Sequence, residues 1–81
     1  MRIIWDEPKR LANLAKHHYD FRGLAPEFFE TALIIPSRLG RSIAIGWHEG
    51  TGIVVIHMVY GSEAVSVISM RDVNPKERRN L

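Results

Sequence analysis

"SIAIGWHEGTGIVVIHMVYG", residues 42–61, is the stretch that decides the fold. Its first half alternates Ile43, Ile45 and Trp47 against Ala44, Gly46 and His48, which is the period-two pattern of a strand. "EGTG" at 49–52 signals a tight turn, so the chain is expected to return on itself as a hairpin. The returning run is apolar on both sides, with Ile53, Val55 and Val59 on one and Val54, Ile56 and Met58 on the other. A strand in the middle of a sheet has that character.

Working outward, "SEAVSVISMR" (62–71) reads as the next strand, reached through a Gly61-Ser62 turn, and "ALIIP" (32–36) as an earlier one stopped by Pro36. "RIIW" (2–5) is a first short strand. Asp6 is placed to cap a helix that tolerates Pro8 in its first turn and runs to about His18. In that helix Leu11, Leu14, Ala15 and His18 fall on one side. Lys9, Asn13 and Lys16 fall on the other, with His17 just off it. The apolar side is expected to face the core and the cationic side to face water. A second helix, about Leu24 to Thr31, carries Phe28 and Phe29, with Pro26 near its start. Near the C-terminus Asn74 can cap, Pro75 can open a short helix, and Glu77 can complete a capping box. The order β-α-α-β-β-β-β-α predicts an α+β fold in a single domain, residues 1–81. Its sheet is mostly antiparallel with four to five strands, two N-terminal helices on one face and a short C-terminal helix.

Composition narrows the function. With 46% hydrophobic and 25% charged residues the chain belongs to the globular class. There are no cysteines, which excludes disulfides, zinc ribbons and thiol catalysis. No apolar run approaches the roughly 20 residues that span a bilayer, and "MRIIWDE" lacks the apolar region of a signal peptide, so a cytoplasmic, membrane-free protein is expected. Eight of the eleven cations are arginine, the side chain whose planar fork grips phosphate, and this suits a polyanion or an acidic protein partner. Neither a close carboxylate cluster nor a spaced histidine ligand set is present, which argues against a two-metal nuclease and implies no metal or cofactor.

Several short motifs run in order along the chain: Trp5-Asp6, then Lys9, Asn13 and Lys16-His17 on the first helix, then Phe21, Arg41 before "SIAIG", and "MVY" ending at Tyr60. The most telling is "ISMR", Ile68 to Arg71, followed by Glu77-Arg78. In that order and spacing they resemble the motifs of the BrnT toxins of bacterial type II toxin–antitoxin systems. The loop "PSRLGR" is shorter than is usual in that family, and Ser66 stands where an arginine is often found. The resemblance implies a RelE-like fold and a ribosome-independent ribonuclease that arrests growth. It also implies a BrnA-like antitoxin with a ribbon-helix-helix domain, the pair autoregulating their operon as a dimeric complex, with operator DNA touched only through the antitoxin.

Metal-independent RNA cleavage uses the 2′-hydroxyl as nucleophile and needs a base, an acid and cations for the charge that develops at phosphorus. Arg71, at the end of an apolar strand, is the first candidate for that phosphate, or else simply a charge that ends the strand in water. Arg41 could reach the same surface or be a loop arginine. Lys16 and His17 are catalytic candidates, since a histidine titrates near neutral pH, and Glu77 is a further acid or base. Lys9, Asn13, Tyr60, Arg78 and Arg79 are candidates for substrate binding. Each has a plainer alternative: a wet helix face for the lysines, a bond from Asn13 back to the first strand, a strand-end anchor for Tyr60, an antitoxin contact for Arg78 and Arg79. His18 and His57 are expected in a core or interface, His48 in a turn, and Trp5, Trp47, Phe21, Phe28 and Phe29 in packing. If the catalytic groups are inert, the chain is a non-catalytic module that binds an antitoxin or RNA, or a structural subunit of a repressor.

Overall fold

The hairpin is formed as its sequence dictates. In the computed structural model, which describes residues 1–81, β3 (Arg41–His48) and β4 (Thr51–Tyr60) pair antiparallel through a two-residue turn. Its residues, Glu49 and Gly50, have φ of 50° and 79°, the left-handed geometry whose twist matches that of the flanking strands. β5 (Ala64–Asp72) pairs with the other side of β4, and β2 (Leu33–Pro36) with the other side of β3, both antiparallel. β1 (Arg2–Trp5) joins the free side of β5 in parallel, from Arg2 opposite Ala64 to Trp5 opposite Val67. The result is a mixed five-stranded sheet in the order β1-β5-β4-β3-β2. Between the pairs Ile56–Ser69 and His57–Val67 the register shifts, leaving Ile68 as an extra residue in β5.

One face of the sheet is covered by α1 (Glu7–His17), α2 (Pro26–Thr31) and the 3-10 turn Phe21–Gly23 between them. Phe21, Leu24 and Phe28 pack there onto Ala44, Ile53, Val55, Val67 and Met70. α2 comes so close to β3 that a Cβ on Gly46 would sit 3.1 Å from both Ala32 and Phe28. The second helix starts at Pro26 rather than near Leu24, because proline occupies its first turn and Ala25 is extended. On the opposite face the C-terminal segment crosses the sheet and lays Leu81 against Gly52. Its expected helix is a 3-10 turn, Glu77–Asn80, held by the anticipated capping box: Glu77 N–H donates to Asn74 Oδ1 and Asn74 N–H to Glu77 Oε1.

The orientation of α1 is the reverse of the one its leucines suggest. Leu11 is 53% exposed and Leu14 36%, whereas Arg10 and Asn13 are 7% and 6% exposed. The cause is the open edge of β5. β1 pairs only with Ala64 to Val67, so on that side the backbone of Met70 has no strand beside it. Asn13 supplies the missing partner: its Nδ2 donates to Met70 O at 3.0 Å, and its Oδ1 accepts from Met70 N at 3.0 Å. The same amide donates to Tyr19 O and accepts from Ser69 Oγ. One turn earlier, Arg10 is met by a bidentate Glu7 and by Asp20. A buried backbone donor and acceptor left unpaired cost more than two half-exposed leucines gain, so the polar side turns inward. His18, expected on an apolar face, is instead exposed and ends α1 in a left-handed conformation, φ 65°.

Asn13→Ala is therefore expected to cost roughly 3 kcal/mol and to lower Tm by more than about 10 °C, since it orphans two buried backbone groups at once. Urea unfolding followed by circular dichroism measures this, and a loss below about 0.5 kcal/mol, the size of an ordinary surface substitution, would refute the role given to the amide.

Candidate active site

Because side chains alternate along strands, the register fixes which candidates share a face. Arg71 lies opposite Val54 and Arg41 opposite Met58, and residues 54 and 58 of β4 point the same way. Both arginines therefore project from the face opposite the helices. They are two strands and four residues apart, about 16 Å between Cα atoms at ordinary sheet spacings. Tyr60, half exposed, points to this same face and is a diagonal neighbour of Arg41. Ile43, Ile56 and Met58, half-buried, and Ser66 and Ser69 floor the stretch between the two ends.

At the other end Arg71 is held by Glu77. Nη1 and Nη2 donate to Glu77 Oε1 and Oε2, each at 2.8 Å, and Nη1 also donates to Asp72 O at 3.1 Å. A guanidinium has five N–H donors. Three are spent here, and the two left without a partner in the chain are Nε–H and the second Nη2–H, which lie along one edge and point in parallel. That edge is shaped for two oxygens of one phosphate. Glu77 is held below the usual carboxylate range, first by its bond from Arg71 and also by that from the Asn74 N–H. It is therefore ionised at neutral pH and can accept a proton but has none to donate.

α1 reaches this end of the sheet at its C-terminus. Asn13 bonds at Met70, and the Tyr19 hydroxyl donates to Asp72, so the two bracket residue 71 along the free edge of β5. The bond to Asp72 pushes the Tyr19 hydroxyl up to about 12. His17 falls between these anchors in the chain, half-buried on the sheet side of α1. Lys9 and Lys16 are exposed, as are Arg78 and Arg79. Asn13, a candidate for substrate binding, is buried, and all four of its hydrogen-bonding positions are occupied within the chain. His57 is a core histidine, packed against Phe29 with Nδ1 3.1 Å from Val55 O, and burial lowers its pKa. Trp47, expected in packing, is 57% exposed. The cluster Arg10–Glu7–Asp20–Arg22 went unseen in the sequence, where Arg10 falls on neither stripe and Asp20 sits in an apparent loop.

A family model described as "ribonuclease toxin, BrnT, of type II toxin-antitoxin system" matches residues 5–77. The chain belongs to the BrnT family. A crystal structure of the ribonuclease toxin BrnT from Brucella abortus is 52% identical and superposes with a TM-score of 0.86, covering 91% of this chain and 97% of that one. No curated protein matches the chain. Membership in the BrnT family brings with it an RNA substrate and an antitoxin partner. No BrnT helix here is long and apolar enough to cross a membrane, and no group of three or more His, Asp or Glu side chains is placed to hold a metal ion.

Acid stability follows from the carboxylates at these joints. Asp20 is drawn down to about 2 from its ordinary 3.8, first by the Arg22 N–H and then by the Arg22 guanidinium. A depressed carboxylate stabilises the fold fully above its unfolded pKa and loses that contribution as pH falls through the folded value. The stability gap between the chain and Asp20→Asn is therefore expected to be open at pH 7 and to close between about 3.8 and about 2. Denaturant titrations across that range measure it, and a gap that stays constant would mean that the Asp20 charge contributes nothing.

Proposed function

We propose that this chain is a metal-independent endoribonuclease toxin on a RelE-like scaffold, with RNA lying across the sheet face opposite the helices, between Arg41 and Arg71. The observation that carries this reading is the unspent Nε–Nη2 edge of Arg71, a two-pronged donor fixed in place by a carboxylate behind it. Placing positive charge where charge develops at phosphorus, on a group that does not have to reorganise, is the largest single contribution such a site can make. Glu77 acts by orienting Arg71. His17, on the end of α1 that reaches the free edge of β5, takes the proton of the 2′-hydroxyl as its oxygen attacks the adjacent phosphorus, and the departing 5′-oxygen takes a proton from water. Arg41, with Tyr60, holds a neighbouring part of the strand. Lys9, Lys16, Arg78 and Arg79 attract the polyanion without touching the reacting atoms, so their effect is expected to be salt-dependent. The activity is held in check by a ribbon-helix-helix antitoxin, with which the chain autoregulates its operon in the cytoplasm.

Purified protein incubated with RNA in excess chelator is expected to cleave it. Arg71→Ala should lower the rate by about a hundred- to a thousandfold with the fold intact. Glu77→Gln, which keeps one acceptor for Arg71, should lose far less, whereas Glu77→Ala should approach Arg71→Ala. Cleavage that stops in chelator would overturn metal independence. Equal losses in Glu77→Gln and Glu77→Ala would return Glu77 to the chemistry itself.

A further inference from the structure

The inverted helix leaves an apolar surface that nothing in the chain covers. With the Arg10–Asn13–His17 side turned to the sheet, the opposite side of α1 consists of Pro8, Leu11, Ala12 and Ala15, all exposed, with Leu14 along one margin. Lys9 and Lys16 run along the other margin. They are seven residues apart, two helical turns or about 10 Å, and neither has a carboxylate partner within the chain. Solvent-facing helix sides are ordinarily polar. This one carries Arg10 and Asn13 inside and its leucines outside.

We infer that the outer side of α1 is the docking surface for the antitoxin, and that it takes an amphipathic helical segment bearing acidic residues beside its apolar stripe. The inference rests on the toxin–antitoxin reading for the partner's class, and on α1 for its chemistry and place. Ala12 and Ala15 let a second helix approach closely, while Leu11 and Leu14 give it apolar area to bury. The two lysines set the charge: carboxylates seven residues apart on the incoming helix would meet both. A second copy of this chain, docked antiparallel about a twofold axis, would bring both lysine margins to the same side, four cations with no counter-charge. RNA would satisfy the lysines but leave the leucines in water.

The test uses the chain's cognate antitoxin, purified and titrated into the wild type and into the double variant Leu11→Ser/Ala12→Arg. Neither position belongs to the RNA site, and both are exposed, so the variant is expected to stay folded and to cleave RNA at the wild-type rate. Its affinity for the antitoxin should fall at least about tenfold, as for loss of a central apolar anchor. Wild-type affinity should weaken as salt rises, and Lys9→Gln/Lys16→Gln should flatten that dependence. Unchanged affinity in a folded Leu11→Ser/Ala12→Arg protein overturns the inference while leaving the ribonuclease reading untouched. So does a wild-type dimer, seen by light scattering without antitoxin, that the same double variant abolishes. Absence of RNA cleavage with the antitoxin contrast intact would sink the ribonuclease reading and spare the docking surface.

Discussion

The carboxamide of Asn13 on the backbone of Met70 is the contact on which the rest of this fold turns. A sheet whose first strand is four residues long cannot cover a last strand of nine, and the uncovered part of β5 would otherwise present a raw edge to the interior. One side chain closes that edge by imitating a strand. In doing so it fixes the rotation of α1, draws in Arg10 with its two carboxylates, and directs the end of the helix toward residue 71. The position of the proposed base relative to the proposed phosphate site is thus set by a group with no chemistry of its own.

Much of this was legible beforehand. The alternation of residues 42–48, the Glu49-Gly50 turn and the two-sided apolar run of β4 each express a local rule, and each is realised in place. The capping box at Asn74 and Glu77 is another local rule obeyed, though around a shorter turn. What could not be read was non-local. Nothing near Asn13 announces that a backbone 57 residues away lacks a partner. Without that knowledge, the helix's periodicity favours putting the leucines inside. The parallel placement of β1 is hidden for the same reason, since it depends on where the last strand finishes.

The site divides along the same line. That Arg71 is a candidate for gripping phosphate follows from its chemistry at the end of an apolar strand. That it shares a face with Arg41 follows only from register, and the bulge at Ile68 shifts the parity of β5 on the way. Glu77, read as a group that might move protons, is held as a counter-ion whose two oxygens are matched to one side of the guanidinium. Spacing in the sequence could suggest that the two residues meet, but not which nitrogen atoms their meeting leaves unused.

The parallel pairing of β1 with β5 bears on when during synthesis such a molecule becomes dangerous. β1 is made before β5 and waits for it to pair, and α1 has no edge to close until residue 70 has emerged. Arg71 acquires its brace later still, with Glu77. The arginines are therefore unbraced until β5 has found both its neighbours, and the surface proposed to grip phosphate assembles after the hairpin it stands on, which leaves an interval in which antitoxin already present can meet the folding chain.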